Sequence, residues 1–208
     1  SPGPGREARN ALNVPLDEPL LLFAGRIQAL KGVDVALEAF IEVRRRMGVG
    51  HFAIVGGPSG PQGRASVQDL RDRIASAGVI EHVSFVAPQT HQLLSTWYRA
   101  ADLTLVPSLA ESFGLVALES TACGTPVIAS AVGGLTTLVH DRINGRLLES
   151  RDPMDWADAI IESLNSRELT GMRTAARENA ATYTWCRTAK ALGDLVERLQ
   201  SGALLLCR

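Results

Sequence analysis

Residues 106–127, VPSLAESFGLVALESTACGTPV, contain the pattern that decides the fold. They begin at the end of an apolar run at 103–106 and lead into a second apolar run at 126–129. Between the runs, a short polar turn precedes a segment that predicts a helix from Ser112 to about Gly124. Strand, loop, helix and strand in this order form the unit that builds parallel sheets, and such sheets bind ligands at the carboxyl ends of their strands. The stretch therefore predicts an α/β fold with a ligand site on this loop.

Two carboxylates and a helix start lie on this stretch. Glu111 is on the turn, and Glu119 is about one and a half turns inside the predicted helix. Backbone N–H groups around Phe113, Gly114 and Leu115 would point to the same space and attract phosphate, because a helix start leaves them unpaired. Carboxylates bind hydroxyls and N–H groups bind anionic oxygens, so the combination suits a sugar nucleotide. The alternative is that Glu119 lies on a solvated helix face and Glu111 in a polar turn.

Composition and charge restrict the class of protein. The chain has 208 residues, 46% of them hydrophobic, and a formal net charge of −1. This suits one globular domain with a substantial core. The near-neutral charge gives no support for nucleic-acid binding, and no apolar run approaches the roughly 20 residues of a transmembrane segment. The three cysteines have neither a disulfide nor a metal-site spacing and favour a cytoplasmic location.

Other apolar runs predict the rest of the sheet. Strands are also expected at 20–24, 51–55, 83–86 and 146–148. The predicted architecture is a Rossmann-like parallel sheet of about six strands with helices on both faces. Trp97 and Tyr98, on a helix expected at 91–100, are interpreted as core residues in preference to base-stacking ones. The expected division is a linker with a short helix at 1–19, a nucleotide-sugar-binding domain at 20–200 and a tail at 201–208.

Two further loops follow predicted strands. Gly25, Arg26 and Lys31 belong to the segment GRIQALKG, which lies at a strand-to-helix crossover, the edge where ligands bind in such sheets. Pairing with nearby carboxylates is the structural alternative for the two basic residues. Gly56 and Gly57 open the loop after the next strand and allow close backbone approach to a ligand, although any tight turn would use them. The loop lacks the glycine fingerprint of dinucleotide-binding proteins, which disfavours a redox enzyme.

These motifs together resemble a known family. ESFGLVALE, followed by ACGTPVIAS and VGG, resembles the E-x7-E signature of retaining glycosyltransferases of family 4, which have the two-domain GT-B fold. From about residue 20 to residue 198, the order of motifs is similar to the carboxyl-terminal, donor-binding domain of these enzymes. Within the family, GRIQALKG, VGGPSG and ESFGLVALE are most similar to the D-inositol-3-phosphate glycosyltransferases of mycothiol biosynthesis. Those enzymes move N-acetylglucosamine from UDP-N-acetylglucosamine to an inositol phosphate.

The resemblance implies roles for individual residues. It assigns Arg26 and Lys31 to the donor diphosphate, which suits a forked guanidinium and a compact ammonium. It assigns Glu111 to hydroxyls of the transferred sugar and Glu119 to the ribose, and it places the nucleotide base against backbone near Val86. The family uses VGG at 132–134 as a wall of the active site, and a plain packing turn is the alternative. The expected catalytic residues are Arg26, Lys31 and Glu111, and the expected donor-binding residues are Gly25, Arg26, Lys31, Gly57, Val86, Glu111, Ser112, Phe113, Gly114, Leu115 and Glu119.

The resemblance also implies a reaction and a second, amino-terminal half of the enzyme that is missing from this chain. It implies front-face attack on a nucleotide sugar, in which the donor phosphate takes the acceptor proton, and the two glutamates are not expected to form a glycosidase acid/base pair. No metal or other cofactor is expected. Enzymes of this fold have an amino-terminal domain that carries the acceptor site, so we expect this chain to transfer little or no sugar by itself. A nucleotide-sugar-binding regulatory module and a UDP-N-acetylglucosamine epimerase-like protein are the alternatives.

Overall fold

The structure of the chain, a computed structural model, describes residues 5–60 and 63–200. The predicted tail at 201–208 and residues 1–4 of the predicted linker lie outside the described residues. Within them, strands and helices alternate along most of the chain, as the sequence predicts for an α/β fold.

The strands of the described residues form one parallel sheet. They are β1 (Leu20–Ala24), β2 (His51–Val55), β3 (Val83–Val86), β4 (Leu103–Val106), β5 (Val127–Ser130) and β6 (Gly145–Leu148). Their spatial order is β3-β2-β1-β4-β5-β6, and every neighbouring pair is parallel. The predicted six-stranded Rossmann-like sheet is therefore confirmed. The chain changes direction across the sheet between β1 and β4, and ligands bind outside the carboxyl ends of strands at such a point.

Helices pack against both faces of this sheet. In the described ranges they are α1 (Gly5–Leu12), α2 (Val33–Met47), α3 (Gly63–Ser76), α4 (His91–Ala100), α5 (Leu115–Ala122), α6 (Leu135–Leu138), α7 (Pro153–Ser163), α8 (Ser166–Ala180) and α9 (Trp185–Gln200). Buried residues of α2, α3 and α7 share one core cluster with the sheet, whereas buried residues of α1 and α4 share another. The prediction of helices on both faces is confirmed.

Strand β1 shows why the strands read as continuous apolar runs. All five of its residues are buried. Leu21 and Phe23 belong to the cluster that contains α2, whereas Leu20 and Leu22 belong to the cluster that contains α4. Successive side chains point to opposite faces of a strand, so a sheet with helices on both faces requires apolar residues at every position.

An aspartate at the amino edge of the sheet connects three elements. Asp102 accepts hydrogen bonds from Arg9 Nη2 at 2.5 Å, from Arg173 Nη2 at 2.8 Å and from the backbone N–H of Leu20 at 2.9 Å. The Arg9 guanidinium also donates to the carbonyl of Ala100 at 2.8 Å. These bonds fix α1 and α8 to the start of β1, on the opposite edge of the sheet from the predicted ligand site.

Helix α9 is outside these clusters, because none of its residues is buried. Trp185 is 88% exposed, and the apolar side chains of Leu192 and Leu199 are also exposed. Although α9 carries these apolar side chains, no helix in the described part of the chain has the length and apolar character needed to cross a bilayer.

Candidate functional site

A cleft of about 560 Å³ at the carboxyl edge of the sheet brings four predicted residues together, and it is lined by Arg26, Leu30, Lys31, Leu109, Ala110, Glu111, Ser112, Val132 and Gly133. The loops that supply these residues follow β1, β4 and β5, which are neighbours in the sheet. The sequence predicts Arg26, Lys31, Glu111 and Ser112 as site residues, and the fold places them around one space.

Lys31 and Glu111 contact each other in this cleft, although they were predicted to bind different parts of a donor. Lys31 Nζ donates to Glu111 Oε2 at 2.5 Å. The two side chains are 21% and 18% exposed, so solvent screens the pair less than it screens a surface ion pair. The carboxylate pairing considered as the alternative for Lys31 therefore occurs, and an anion that binds Lys31 must compete with Glu111.

Arg26 differs from Lys31, because its side chain is exposed and forms no ion pair or hydrogen bond with other described residues. Its guanidinium keeps five N–H donors for a ligand with several anionic oxygens. The cleft thus combines one paired cation and one unpaired cation.

A smaller cavity of about 30 Å³ shares Lys31 and Glu111 with the lining of the cleft, and it is also lined by Gly25 and Ser108. Ser108 is 1% exposed, and its hydroxyl has no hydrogen-bond partner within the described residues. A space of this size is large enough for about one water molecule. Ser108 could not be predicted as a site residue, because a serine after a strand-ending proline is an ordinary turn residue.

Helix α5 begins at Leu115, later than the predicted start at Ser112. Gly114, the N-cap, has a φ of 98°, a left-handed conformation that glycine adopts without the steric cost of a side chain. The N–H groups of the first helical turn have no acceptor inside the helix, so they remain suited to an anion. Phe113 and Leu115 are exposed beside this start, and the Phe113 ring makes an edge contact with Tyr183 at a centroid distance of 6.2 Å.

The VGG segment supports the loop that carries Glu111. The N–H of Gly134 donates to the carbonyl of Glu111 at 3.0 Å. A Cβ added at Gly133, whose φ is 49°, would lie 2.0 Å from the same carbonyl oxygen. Val132 and Gly133 also line the cleft. The segment is therefore both a wall of the cleft and a packing turn, the two interpretations that the sequence left open.

Glu119 does not line this cleft and has partners of its own. The hydroxyl of Tyr98 donates to Glu119 Oε2 at 3.1 Å, and His91 Nδ1 lies 3.6 Å from Glu119 Oε1. Burial, and then the nearby negative charge of Glu119, raises the pKa of the Tyr98 phenol well above its ordinary value. The interpretation of Tyr98 as a core residue is correct for its ring. The hydrogen bond of its hydroxyl to Glu119 was not predicted, because it joins two different helices.

The predicted residues Gly57 and Val86 contact neighbouring loops of the protein. The carbonyl of Gly57 accepts from the N–H of Ile27 at 2.8 Å, and the carbonyl of Val86 accepts from Gly56 at 2.9 Å. A Cβ added at Gly56 would lie 1.8 Å from the carbonyl oxygen of Gly25. Glycine at position 56 therefore permits close packing of two loops, where the sequence suggested close approach to a ligand. A base contact near Val86 stays a prediction.

Neither of the two described cysteines, Cys123 and Cys186, is in a disulfide. Cys123 is buried in the core cluster of α4, and Cys186 is exposed. Cys207 lies outside the described residues. Within 5–60 and 63–200, no group of three or more His, Cys, Asp and Glu residues is placed to hold a metal ion. The expected absence of a metal or other cofactor stays a prediction.

Comparison with protein families identifies the chain. Residues 5–183 match the family described as "Glycosyl transferases group 1". The chain belongs to the group 1 glycosyl transferases. It is 44% identical over 204 residues to D-inositol 3-phosphate glycosyltransferase 2 of Catenulispora acidiphila, a match that covers 95% of this chain and 47% of that protein. This group 1 glycosyl transferase chain thus spans about half the length of the curated relatives it matches.

Solved structures support the same assignment. Sucrose-phosphate synthase from Thermosynechococcus elongatus is 34% identical, with a TM-score of 0.83 over 97% of this chain and 50% of that chain. Anabaena Alr3699/HepE, solved in complex with UDP and glucose, is 21% identical, with a TM-score of 0.84 over 95% of this chain and 52% of that chain. At that identity, the second likeness shows the fold alone. The predicted resemblance to GT-B glycosyltransferases is confirmed.

Proposed function

We propose that this group 1 glycosyl transferase chain is the donor-binding domain, at residues 20–200, of a retaining enzyme. Its donor would be a nucleoside diphosphate sugar carrying a hexose or N-acetylglucosamine, with UDP-N-acetylglucosamine preferred, and its acceptor would be a small molecule such as an inositol phosphate. The observation that carries the proposal is the convergence of Arg26, Lys31 and Glu111 on one cleft at the carboxyl edge of the sheet. The name of the Catenulispora acidiphila relative supports the acceptor class.

The diphosphate of the donor would lie against Arg26 and Lys31. Departure of a nucleoside diphosphate leaves negative charge on its oxygens, and fixed positive groups stabilise that charge as it develops. Lys31 is mostly shielded from solvent, which strengthens its attraction for a phosphate. The start of α5 adds N–H groups and the positive end of a helix dipole.

The two glutamates would bind hydroxyl groups. When a phosphate takes the place of Glu111 beside Lys31, the carboxylate oxygens of Glu111 can accept hydrogen bonds from the transferred sugar. Glu119, held on α5 by Tyr98, would accept from the ribose. Neither role requires a proton to move, and the diphosphate needs charge stabilisation more than protonation, so an acid/base pair of glycosidase type is not required.

The acceptor site would belong to the remaining half of the enzyme. The matched relative is about twice as long as the region that it shares with this chain. We therefore expect the 208-residue chain to bind the donor nucleotide without appreciable sugar transfer. Efficient sugar transfer by this chain alone would contradict the proposal that the acceptor site lies in the other half of the enzyme.

Calorimetric titration of the chain with UDP, UDP-N-acetylglucosamine and UDP-glucose tests the donor site. Lys31→Ala should weaken binding of UDP about 10- to 100-fold, because a charge-assisted contact to phosphate is lost. Lys190→Ala is the matched control, since Lys190 lies on α9, is exposed and pairs with Asp194 at 3.7 Å. Equal affinity of the two variants would show that the diphosphate does not bind at Lys31.

A longer chain that includes the acceptor domain separates the proposed enzyme from its alternatives. In that protein, Lys31→Ala should lower transfer by orders of magnitude, because the contact acts mainly on the departing diphosphate. A regulatory module would bind UDP-sugars and transfer none in any length of chain. An epimerase would alter UDP-N-acetylglucosamine with no acceptor present.

A further inference from the structure

The hydroxyl of Tyr98 lies 3.1 Å from Glu119 Oε2 and is the polar tip of a side chain that is otherwise in the core. We infer that Tyr98 is a positioning residue that orients the Glu119 carboxylate toward the two ribose hydroxyls of a bound nucleotide. This inference rests on the proposed function, because it requires that Glu119 contacts the ribose. It adds a residue from α4 to a site whose predicted members lie on the crossover loops, at the end of β3 and on α5.

The ring of Tyr98 cannot move easily. Its side chain is 1% exposed and packs in the cluster that contains Leu22 and Val55. The backbone at the same position is also held, because Thr125 Oγ1 donates to the carbonyl of Tyr98 at 2.5 Å. A hydroxyl on a ring fixed in this way defines one point in space, whereas the more flexible side chain of Glu119 would otherwise sample several rotamers.

The chemistry of the pair sets the direction of the hydrogen bond. Burial and the negative charge of Glu119 both raise the pKa of Tyr98, so the phenol keeps its proton at physiological pH. An ionised carboxylate only accepts hydrogen bonds, so the phenol must donate to Glu119 Oε2. The bond therefore fixes the rotation of the carboxylate about its own axis.

The carboxylate keeps acceptor sites for a ligand. Two carboxylate oxygens offer about four lone-pair sites, and Tyr98 uses one of them. Glu119 Oε1 lies 3.6 Å from Nδ1 of His91, and the Glu119 side chain is 33% exposed, so part of it is accessible to a ligand. A ribose presents two adjacent O–H donors, and an oriented carboxylate can accept from both. A ligand without the 2′-hydroxyl would lose one of these bonds.

Calorimetry with UDP and 2′-deoxy-UDP tests this inference on the wild-type chain and on Tyr98→Phe. The wild-type chain should prefer UDP, and Tyr98→Phe should weaken UDP binding about 3- to 10-fold while 2′-deoxy-UDP binding changes less. The phenylalanine keeps the buried ring, and a thermal unfolding curve confirms the fold. Tyr183→Phe is the matched control, because it removes a hydroxyl that donates to the carbonyl of Thr137 at 3.3 Å. It should keep the wild-type preference.

A double-mutant cycle separates positioning from a general structural effect. In a Glu119→Ala background, Tyr98→Phe should have no further effect on the ratio of the two affinities, because the carboxylate that it orients is gone. An unchanged ratio in Tyr98→Phe, or the same loss with and without Glu119, would overturn the inference while the proposed function stands. Absence of any UDP binding by the wild-type chain would instead contradict the proposed function, and the inference with it.

Discussion

Lys31 Nζ lies 2.5 Å from Glu111 Oε2, although the two residues are 80 positions apart in the chain. They meet because the loops after β1 and β4 are neighbours where the strand order reverses. The contact couples the two halves of the proposed donor site. In the proposed site, a phosphate that took the place of Glu111 beside Lys31 would free the Glu111 carboxylate for the sugar hydroxyls. The new contacts of Lys31 and of Glu111 would together offset the cost of breaking the ion pair.

The first prediction concerns the competition between Glu111 and phosphate. Glu111→Gln should strengthen UDP binding about 3- to 10-fold, because Lys31 no longer has to give up an anionic partner. The gain should be smaller for UDP-N-acetylglucosamine, whose sugar hydroxyls lose a charged acceptor. Calorimetry measures both, with Glu197→Gln on the exposed face of α9 as the control. Weaker UDP binding in Glu111→Gln would show that the pair does not oppose the diphosphate.

The second prediction concerns the stability of the amino edge. Asp102→Asn should lower the free energy of unfolding by about 3 kcal/mol, because it leaves the mostly buried guanidinium of Arg9 without its counter-charge. Asp69→Asn removes an exposed partner of Arg73 and should cost at most about 1 kcal/mol. Urea titrations measure both values. Similar losses in the two variants would mean that Asp102 contributes no more than a surface charge.

The third prediction separates backbone strain from steric contact. Gly78 has a φ of 70° with no atom within 4 Å of an added Cβ, so Gly78→Ala should cost only about 1 kcal/mol of strain. Gly133→Ala should cost more and should also weaken UDP binding, since its Cβ would lie 2.0 Å from the carbonyl oxygen of Glu111 and displace that loop. Urea titration and calorimetry provide the two readouts. Wild-type UDP affinity in Gly133→Ala would argue against a role for the VGG turn in holding Glu111.

The fourth prediction concerns pH. Burial, and then the positive charge of His82, lowers the pKa of His51 below its ordinary value of 6.5, and His51 Nε2 lies 2.8 Å from Ser84 Oγ. As the pH falls, His51 therefore becomes protonated in the unfolded chain at a higher pH than in the folded protein. Stability should decrease from about pH 6.5 down to the lowered pKa and should then become constant, with a total loss of about 1.4 kcal/mol for each unit of pKa difference.

The control for this pH effect is a second histidine. His51→Gln should remove the loss of stability in that window, whereas His91→Gln should keep it, because His91 is 93% exposed. Unfolding free energies from urea titrations at several pH values between 7.5 and 5 provide the comparison. The same pH profile in wild type and His51→Gln would show that another group causes the loss.

The local features of the fold follow from the sequence alone. The apolar run of β1 is a buried strand, Thr90 accepts a hydrogen bond from the N–H of Leu93 at the start of α4, and Asp152 accepts one from Met154 at the start of α7. These features depend on residues that are close in the chain, so hydrophobic pattern and capping chemistry predict them. The family assignment likewise rests on short motifs, such as ESFGLVALE, whose residues are consecutive.

Only the tertiary structure determines which side chains contact each other. The sequence analysis placed Lys31 and Glu111 in one site but did not predict which carboxylate would pair with Lys31. It interpreted Tyr98 as a core residue and did not predict the hydrogen bond from its hydroxyl to Glu119. Nor did it predict that Asp102 would accept hydrogen bonds from two arginines, Arg9 and Arg173. The physical reason is that each contact joins segments whose distance is set by strand order and helix packing. Residue type and spacing show which groups can bind a ligand, whereas the order of strands in the sheet decides which of those groups meet.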